Sequence, residues 1–274
     1  MIVNVTRISA WIIAATVAWA GAASAQPSPS ELADRIDAAN AEYIRDIERV
    51  TIVSEITEGM AKGTVSTTRF EPRERDGRLV LQAVDDSDLG AEQLTGMHDG
   101  MLADMVRHAR AVERGRHEGR AVYIATIDDA DFLRTVGDFQ MEDEMDDDFS
   151  PREAKVWIDA DSLNPLQLEF LQDGPEGGEM LVTMTLTDYR THRGMPVAHR
   201  MRMEITGMDA MISEADKQMA RQQMQQLKQQ LEQMPPEQRA MIEAQLGPQM
   251  EQFEQMMASG TTEMEVRVTD VSFD

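Results

Sequence analysis

Apolar and polar residues alternate along most of the second half of the chain. This period of two is typical of β-strands that bury one face. The pattern predicts strands over 155–159, 165–171, 179–189, 196–206 and 263–273, separated by short turns that contain Gly, Pro or Asn. Because tight turns join most of these strands in succession, the sequence predicts an antiparallel meander.

The first half adds helices and further strands to this meander. A helix is predicted over 30–40, with Ser30 as its N-cap. Alternation predicts strands over 47–57, 64–70, 78–84 and 119–127, and a 3.6-residue apolar stripe predicts a helix over 97–113. The stretch after Ile127 is predicted to be a loop that carries the acidic run Glu142 to Asp148.

A segment rich in methionine and glutamine separates the last two strands. Residues 207–259 contain nine Met and thirteen Gln, and apolar residues recur there at spacings of three or four. Pro235-Pro236 ends one helix and begins another, since proline is tolerated in a first helical turn. We predict a helical hairpin at 207–259, inserted into a single domain that spans 26–274.

The first 25 residues have the pattern of a secretory signal peptide. Arg7 precedes an apolar stretch over 8–20, and Ala23-Ser24-Ala25 provides the small residues that signal peptidase requires. We expect cleavage after Ala25 and a periplasmic protein without stable membrane insertion. Since no cysteine follows this site, the bacterial lipoprotein route is not expected.

Composition and motifs exclude several classes of function. With 50 acidic and 26 basic residues the formal net charge is −24, which repels nucleic acid, and the absence of Cys excludes disulfides and thiolate metal sites. The chain lacks His-Glu-x-x-His, Gly-x-Ser-x-Gly, phosphate-binding-loop and dinucleotide-binding motifs. We therefore expect no enzyme activity and no cofactor, although a glycosidase-like carboxylate pair is set by space and stays open.

Several short motifs of the second half carry a family resemblance. They are Lys155-Val156-Trp157-Ile158-Asp159, Leu163-Asn164-Pro165-Leu166, Asp188-Tyr189-Arg190 after a Gly-rich turn, and Gly194-Met195-Pro196. Over roughly 40–206 and 261–273 the chain resembles LolA/LolB-like proteins, which are periplasmic lipoprotein carriers and related lipoprotein-sorting proteins. The Met/Gln-rich hairpin is not part of that family's core pattern.

The resemblance implies an α+β fold and a binding function. The implied fold is a strongly curved antiparallel sheet, an open half-barrel, with helices on the concave side. The implied activity is to shield an acyl chain or apolar side chain from water.

The apolar faces of the predicted strands are the candidate ligand site. They either form a filled core beneath helices or line a cavity for an acyl chain. The candidate cavity residues are Val156, Ile158, Leu166, Leu168, Phe170, Val182, Met184, Leu186, Met201, Met203, Ile205, Met264, Val266 and Val268. The candidate lid residues, on the hairpin, are Met219, Leu227, Leu231, Met250 and Phe253, because flexible Met side chains adapt to irregular apolar shapes.

A basic island interrupts the acidic chain. Arg107, Arg110 and Arg114 follow helical spacing, and we predict that they contact an anionic head group or an acidic partner. The alternative is a surface stripe that neighbouring carboxylates balance.

Two groupings of metal-ligating residue types are present, and for each the structural explanation is preferred. Met201-x-Met203 and Met208-x-x-Met211, with His199 nearby, could bind Cu(I), although Met at such spacings is usually core. The acidic run could hold Ca²⁺ but lacks the EF-hand spacing, which favours a solvated loop. We therefore predict no metal site.

The sequence thus predicts a periplasmic carrier or binding protein for a lipid, an acyl chain or a lipoprotein. The alternative is an envelope protein–protein interaction or stress-sensing module that acts through the hairpin. The two differ in whether the hairpin's apolar stripe faces the sheet or the solvent.

Overall fold

The computed structural model describes residues 26–59, 61–84, 100–137, 151–174, 177–208 and 259–274, with single helical positions at 218, 219, 222, 226 and 229. The described helices are α1 (Pro29–Ile44), α2 (Met101–Arg107) and α3 (Ala130–Gly137). The strands are β1 (Val50–Glu58), β2 (Val65–Arg75), β3 (Arg78–Ala83), β4 (Ala109–His117), β5 (Arg120–Ile127), β6 (Glu153–Asp159), β7 (Pro165–Asp173), β8 (Glu179–His192), β9 (Met195–Thr206) and β10 (Thr261–Phe273). The predicted signal segment, the acidic run and most of the predicted hairpin lie outside the described residues.

All ten strands belong to one antiparallel sheet. Their order is β3-β2-β1-β10-β9-β8-β7-β6-β5-β4, so β6 to β10 form the predicted meander, β5 and β4 extend it, and β1 pairs with β10. Strands β3 and β4 stand at the two ends of this order, which leaves the sheet open.

Contacts with α1 show that the sheet is strongly curved. Asp37 of α1 lies 3.6 Å from the Arg78 guanidinium of β3. Two residues away, Arg35 donates a hydrogen bond of 3.3 Å to the Tyr123 hydroxyl of β5. In a flat sheet, β3 and β5 would lie about 38 Å apart, because neighbouring strands are separated by about 4.8 Å. One turn of helix can reach both strands only if the sheet curls around α1, which makes the predicted open half-barrel.

The core fills the concave side of this curve. Val156, Ile158 and Leu168 of the sheet are buried in one cluster with residues from all three helices. The helix residues in that cluster include Leu32, Ile36, Leu102, Met105 and Leu133. A second buried cluster joins the end of α1 to the apolar faces of β1, β2 and β3.

Helix α1 begins with a complete capping box. The Ser28 hydroxyl accepts from the Glu31 backbone N–H, and the Glu31 carboxylate accepts from the Ser28 N–H at 2.7 Å. The predicted cap at Ser30 is therefore wrong by two residues, because Pro29 is tolerated at the first helical position. Within the described ranges, no helix combines the length and apolar character needed to cross a bilayer.

The predicted helix over 97–113 is wrong in its second half. Helix α2 ends at Arg107, and β4 begins at Ala109. Pairing with β5 sets this boundary, since Val112 lies opposite Ala125 and both belong to the core. Pairing with β5 therefore determines the structure after Arg107, although the sequence there has helical periodicity.

Helix α3 stands where the sequence predicts a loop. Asp129 accepts a hydrogen bond of 3.2 Å from the backbone N–H of Phe132, which is the geometry of an N-cap. The core cluster buries Leu133 and Val136 of this helix. An Asp immediately before a short apolar stripe was the signal that could have located it.

The long segment between β9 and β10 leaves and re-enters the sheet at one point. Thr206 pairs with Thr261, and the Met208 N–H donates a 3.0 Å hydrogen bond to the Gly260 carbonyl. The isolated described positions from 218 to 229 are helical and exposed. Met219 is 56 % exposed.

Candidate ligand site on the concave face

The candidate cavity residues lie side by side across five strands. Met201 is opposite Leu186 on one side and Val266 on the other, so these three side chains form a continuous row. Met203 continues the next row with Met184 and Met264. Eleven of the fourteen candidates are buried; the exceptions are Met203, Ile205 and Met264, which are half-buried. The structure thus brings together residues that span 113 positions of sequence.

The helices cover this apolar surface directly. Leu32 and Ile36 of α1 are buried in the same cluster as Met201 and Leu186. Met201 is 1 % exposed, so these side chains are in contact with other protein atoms and not with solvent. Of the candidate lid residues, Leu227, Leu231, Met250 and Phe253 lie outside the described side chains, and Met219 is exposed.

An ion cluster attaches the helical cover to one edge of the sheet. Arg78 of β3 lies 2.7 Å from Asp104 of α2, and Arg75 of β2 lies 2.9 Å from the same carboxylate. Arg107 contacts both Asp37 and Asp104, which places it inside this cluster. The hydrogen bond to Asp104 raises the pKa of Arg78, so this guanidinium stays charged at any physiological pH.

Arg110 is likewise paired with carboxylates. Its guanidinium lies 2.7 Å from Asp128 and 3.4 Å from Glu153. Arg107 lies on α2, whereas Arg110 and Arg114 lie on β4. The three arginines therefore do not share a helix face, although their spacing in the sequence is helical. Two of the three candidate head-group arginines are therefore neutralised within the protein.

Arg114 has a different environment from the other two. It lies opposite Tyr123 in the β4–β5 ladder, and its Nη2 is 3.5 Å from the Tyr123 hydroxyl. Arg35 of α1 approaches the same oxygen at 3.3 Å, and the two guanidinium carbons lie 5.6 and 5.5 Å from the ring centroid. Among the described residues, no carboxylate forms an ion pair with either guanidinium.

Tyr123 joins this basic pair to the apolar core. It is 4 % exposed and belongs to the concave cluster, while its hydroxyl reaches the two arginines. Hydrogen bonds from Arg35 and then Arg114 lower the pKa of Tyr123 against the effect of burial. The sequence analysis did not identify Arg35 or Tyr123, because 88 positions separate them and only the curl of the sheet brings them together.

A cavity of about 590 Å³ opens at this end of the concave face. It is lined by Arg114, Gly115, Arg116, Ala121, Val122, Tyr123, Ala160 and Asp161. Arg116 lies opposite Ala121, so it shares the concave face with Arg114 and Tyr123. The apolar surface therefore ends in a basic mouth, in which Asp161 supplies a single carboxylate. We refer to Arg35, Arg114, Arg116 and Tyr123 as the basic mouth.

The turn between β6 and β7 borders a second, polar cavity of about 520 Å³. Asp159 accepts hydrogen bonds from the backbone N–H groups of Asp161 and Ser162, at 3.1 and 2.9 Å. Burial acts to raise the pKa of Asp159, but these hydrogen bonds outweigh it and the pKa is lowered. Asp159 thus stabilises a turn, as its position at a strand end predicts.

A hydrogen-bonded histidine pair borders a groove of about 490 Å³. The Nδ1–H of His199 donates to the Val268 carbonyl at 3.1 Å, which leaves its Nε2 to accept from His192 Nε2 at 2.9 Å. Burial, followed by the charge of Arg190, lowers the pKa of His199, while Asp188 acts in the opposite direction. The native structure therefore favours a neutral His199.

We expect the free energy of unfolding to decrease as pH falls below about 6.5, the ordinary histidine pKa. Because the pKa of His199 is lower in the folded state, the unfolded state binds more protons in this range, and stability rises with pH. Urea denaturation at pH 8 and pH 5.5 should show this loss, and His199→Gln should reduce it. An identical loss in the variant would contradict the assignment.

The residues considered for metal binding are arranged for packing. Met201 is buried on the concave face, and Met203 and Met208 are packed against the same cluster. In the part of the chain that the structure describes, no three His, Asp or Glu side chains are grouped so as to hold a metal ion. Met211 and the acidic run lie outside that part.

Comparisons with known proteins give similarity at the level of solved structures. No protein-family model and no curated protein matches the chain. A domain from Vibrio parahaemolyticus assigned to outer membrane lipoprotein sorting is 12 % identical, with a TM-score of 0.41, over 89 % of this chain and 92 % of that one. A DUF1329 family protein from Desulfovibrio piger is 10 % identical, with a TM-score of 0.41, over 90 % and 92 %. A LolA superfamily protein from Nitrosomonas europaea is 10 % identical, with a TM-score of 0.35, over 88 % and 93 %. The chain is similar, over most of its length, to solved structures that include one of the LolA superfamily.

Proposed function

We propose that this protein is a periplasmic, non-enzymatic carrier or binding protein for a lipid, an acyl chain or a lipoprotein. The ligand would occupy the concave face of the curved sheet. The observation that best supports this proposal is the continuous apolar surface of β6 to β10. The helices cover this surface, and the basic mouth lies at its end. Export through the segment 1–25 is part of the proposal.

The energies involved are compatible with a ligand that replaces part of the helical cover. Exposing Leu32 and Ile36 of α1 would cost about 3–6 kcal/mol, at about 1.5–3 kcal/mol per side chain. Burying twelve methylenes of an acyl chain gives about 10 kcal/mol, at about 0.8 kcal/mol each. The ion pairs of the cover are partly exposed, and such pairs contribute about 0–1 kcal/mol each. A chain of twelve carbons therefore gains more than these contacts cost, whereas a chain of six carbons gains about 5 kcal/mol and only matches the cost.

The alternative function, a protein-interaction or stress-sensing module, has one observation in its favour. A lid residue would face the sheet, whereas Met219, in the segment between β9 and β10, is exposed. Limited proteolysis between Pro235 and Gly247, with and without lipid, separates the two functions. Protection by lipid supports the carrier, and cleavage that lipid does not change supports the interaction module.

We expect the purified protein to bind a neutral apolar fluorophore such as 1-N-phenylnaphthylamine, with increased emission. Long-chain ligands of twelve or more carbons should displace it, and chains of six carbons should not, because gain in burial scales with chain length. Native mass spectrometry of protein from its own envelope should detect a retained lipid by mass. Absence of both fluorophore binding and retained lipid would contradict the proposed function.

An engineered disulfide tests whether the cover has to move. A Cβ placed on Gly194 would lie 3.7 Å from the Tyr43 Cβ at the end of α1, within the range that disulfides need. Since the chain has no cysteine, Tyr43→Cys/Gly194→Cys introduces a single possible bridge. We expect the oxidised form to bind the fluorophore at least about tenfold more slowly than the reduced form. The reduced form is the matched control, since it carries the same backbone strain from the φ of +89° at Gly194. Equal rates would contradict a mobile α1.

A further inference from the structure

The basic mouth contains two arginines whose charge nothing described in the protein neutralises. Arg35 and Arg114 both contact the Tyr123 hydroxyl, and no ion pair with a described carboxylate is resolved for either. The chain carries a net charge of −24, so unpaired guanidinium groups are not a consequence of scarce carboxylates. By contrast, Arg107 and Arg110 of the neighbouring elements each contact two or more carboxylates.

Tyr123 orients the guanidinium groups of Arg35 and Arg114 and leaves most of their N–H donors available to a ligand. Each donates one N–H towards the Tyr123 oxygen, whereas a guanidinium carries five N–H groups. The ring of Tyr123 is fixed in the core, and both guanidinium groups lie within 6 Å of its centroid, where the π-system attracts a cation. Most donors therefore stay available while the side chains are held in place from two different elements.

The two arginines also lie where a ligand of the concave face would enter. Arg114 and Tyr123 face the concave side at the end where the cavity of about 590 Å³ opens, and Arg116 lies on the same face. Ile158, which pairs with Tyr123, is buried in the same apolar cluster as Leu168 of β7 and Met184 of β8. A ligand that enters here meets guanidinium groups first and apolar side chains beyond them.

We propose that the ligand of the concave face carries an anionic head group, a phosphate or a carboxylate, and that Arg35 and Arg114 bind it at the basic mouth. This inference rests on the proposed function and specifies the class of its ligand. Planar guanidinium groups match the paired oxygens of phosphate and carboxylate, and such charge-assisted hydrogen bonds are among the stronger ones in proteins. Tyr123 acts as a positioning residue that orients both arginines, and Arg116 adds positive charge.

The test compares two ligands that share a chain and differ in the head group. Dodecyl phosphate is anionic and monolauroylglycerol is neutral; both are measured by displacement of 1-N-phenylnaphthylamine from the full chain. We expect the wild type to bind dodecyl phosphate about tenfold more tightly or better. Arg35→Gln/Arg114→Gln should abolish this preference while the affinity for monolauroylglycerol changes by less than about twofold.

Matched controls separate local recognition from overall charge. Arg73→Gln/Arg134→Gln removes the same two charges from exposed side chains on β2 and α3. This control should keep the preference for dodecyl phosphate. Tyr123→Phe keeps the ring and removes the hydroxyl, and we expect an intermediate loss of preference, because the arginines lose their common hydrogen-bond acceptor.

The possible outcomes distinguish this inference from the proposed function. Equal affinity of the wild type for the two ligands, or an equal loss in the control variant, would overturn the head-group inference and leave the carrier intact. Binding of inorganic phosphate as tight as that of dodecyl phosphate would assign the mouth to free phosphate and overturn it as well. If neither dodecyl ligand displaces the fluorophore, the proposed function fails together with the inference.

Discussion

Replacing Gly207 by alanine should destabilise the protein by about 3 kcal/mol or more. Gly207 has a φ of +78°, a conformation that costs an L-residue about 1–2 kcal/mol. An added Cβ would also lie only 2.0 Å from the backbone carbonyl oxygen of Glu179, the first residue of β8. Backbone cannot move aside as a flexible side chain can, so the end of the β8–β9 pair would have to separate, and such overpacking costs a further 1–3 kcal/mol or so.

Gly119→Ala is the matched control for this prediction. Gly119 also has a positive φ, +84°, but an added Cβ there would meet no atom within 4 Å. We expect this control to lose only about 1 kcal/mol, which isolates the steric part of the Gly207 effect. Urea denaturation of both variants measures the two values. Equal losses would mean that the approach of Glu179 to Gly207 does not constrain the fold.

Gly207 also connects the sheet to the segment that the sequence predicts as a hairpin. It directly follows β9, and the Met208 N–H bonds to Gly260 just before β10 begins. A variant that separates the end of β8 from β9 would release this closed entry point. We therefore expect Gly207→Ala to increase proteolysis of the segment between β9 and β10 more than Gly119→Ala does.

Alternation located every described strand except β4, and the pattern was clearest where one face is fully buried. In β6 every second residue is buried, and the same holds for most of β7 and β8. In β4 the concave face itself changes from Val112 to Arg114 and Arg116, because this edge strand passes from the core to the basic mouth. A period of two cannot be recognised in a strand whose inner face is partly charged.

The apolar rows of the candidate site could be predicted from the alternation of residues. The basic mouth could not, because it depends on the curvature of the sheet. The rows through Met201 and Met203 follow from alternation plus antiparallel pairing. The contact between Arg35 and Tyr123 needs α1 to lie inside a curled sheet, and no spacing along the chain encodes that. Helical spacing grouped Arg107 with Arg114, although the backbone changes from α2 to β4 between them.

Replacing Glu265 by glutamine should cost about 2–3 kcal/mol at neutral pH. The Glu265 side chain is 3 % exposed and accepts hydrogen bonds from Arg200 and Arg267, whose Nε atoms both lie 2.8 Å away. The Thr57 hydroxyl adds a third donor at 3.1 Å. Removing one partner of a buried pair costs about 3–5 kcal/mol, and the value here is lower because both arginines are half-exposed and keep their hydration.

The dependence of the free energy of unfolding on pH below neutrality tests this prediction in a second, independent way. Burial acts to raise the pKa of Glu265, but hydrogen bonds from Arg200, Arg267 and Thr57 outweigh it, so the folded pKa lies below the ordinary value of 4.5. The unfolded state therefore binds more protons near pH 4, and the stabilisation is present above about pH 4.5 and decreases as pH falls. The difference between wild type and Glu265→Gln in urea denaturation should shrink between pH 7 and pH 3.5. Glu263→Gln is the control, because Glu263 lies on β10 like Glu265 and pairs with Arg202 of β9, but its side chain is 44 % exposed. The loss in this variant should therefore stay within about 0.5 kcal/mol. If the two variants lose equal stability at pH 7, burial of Glu265 does not contribute to the strength of its ion pairs.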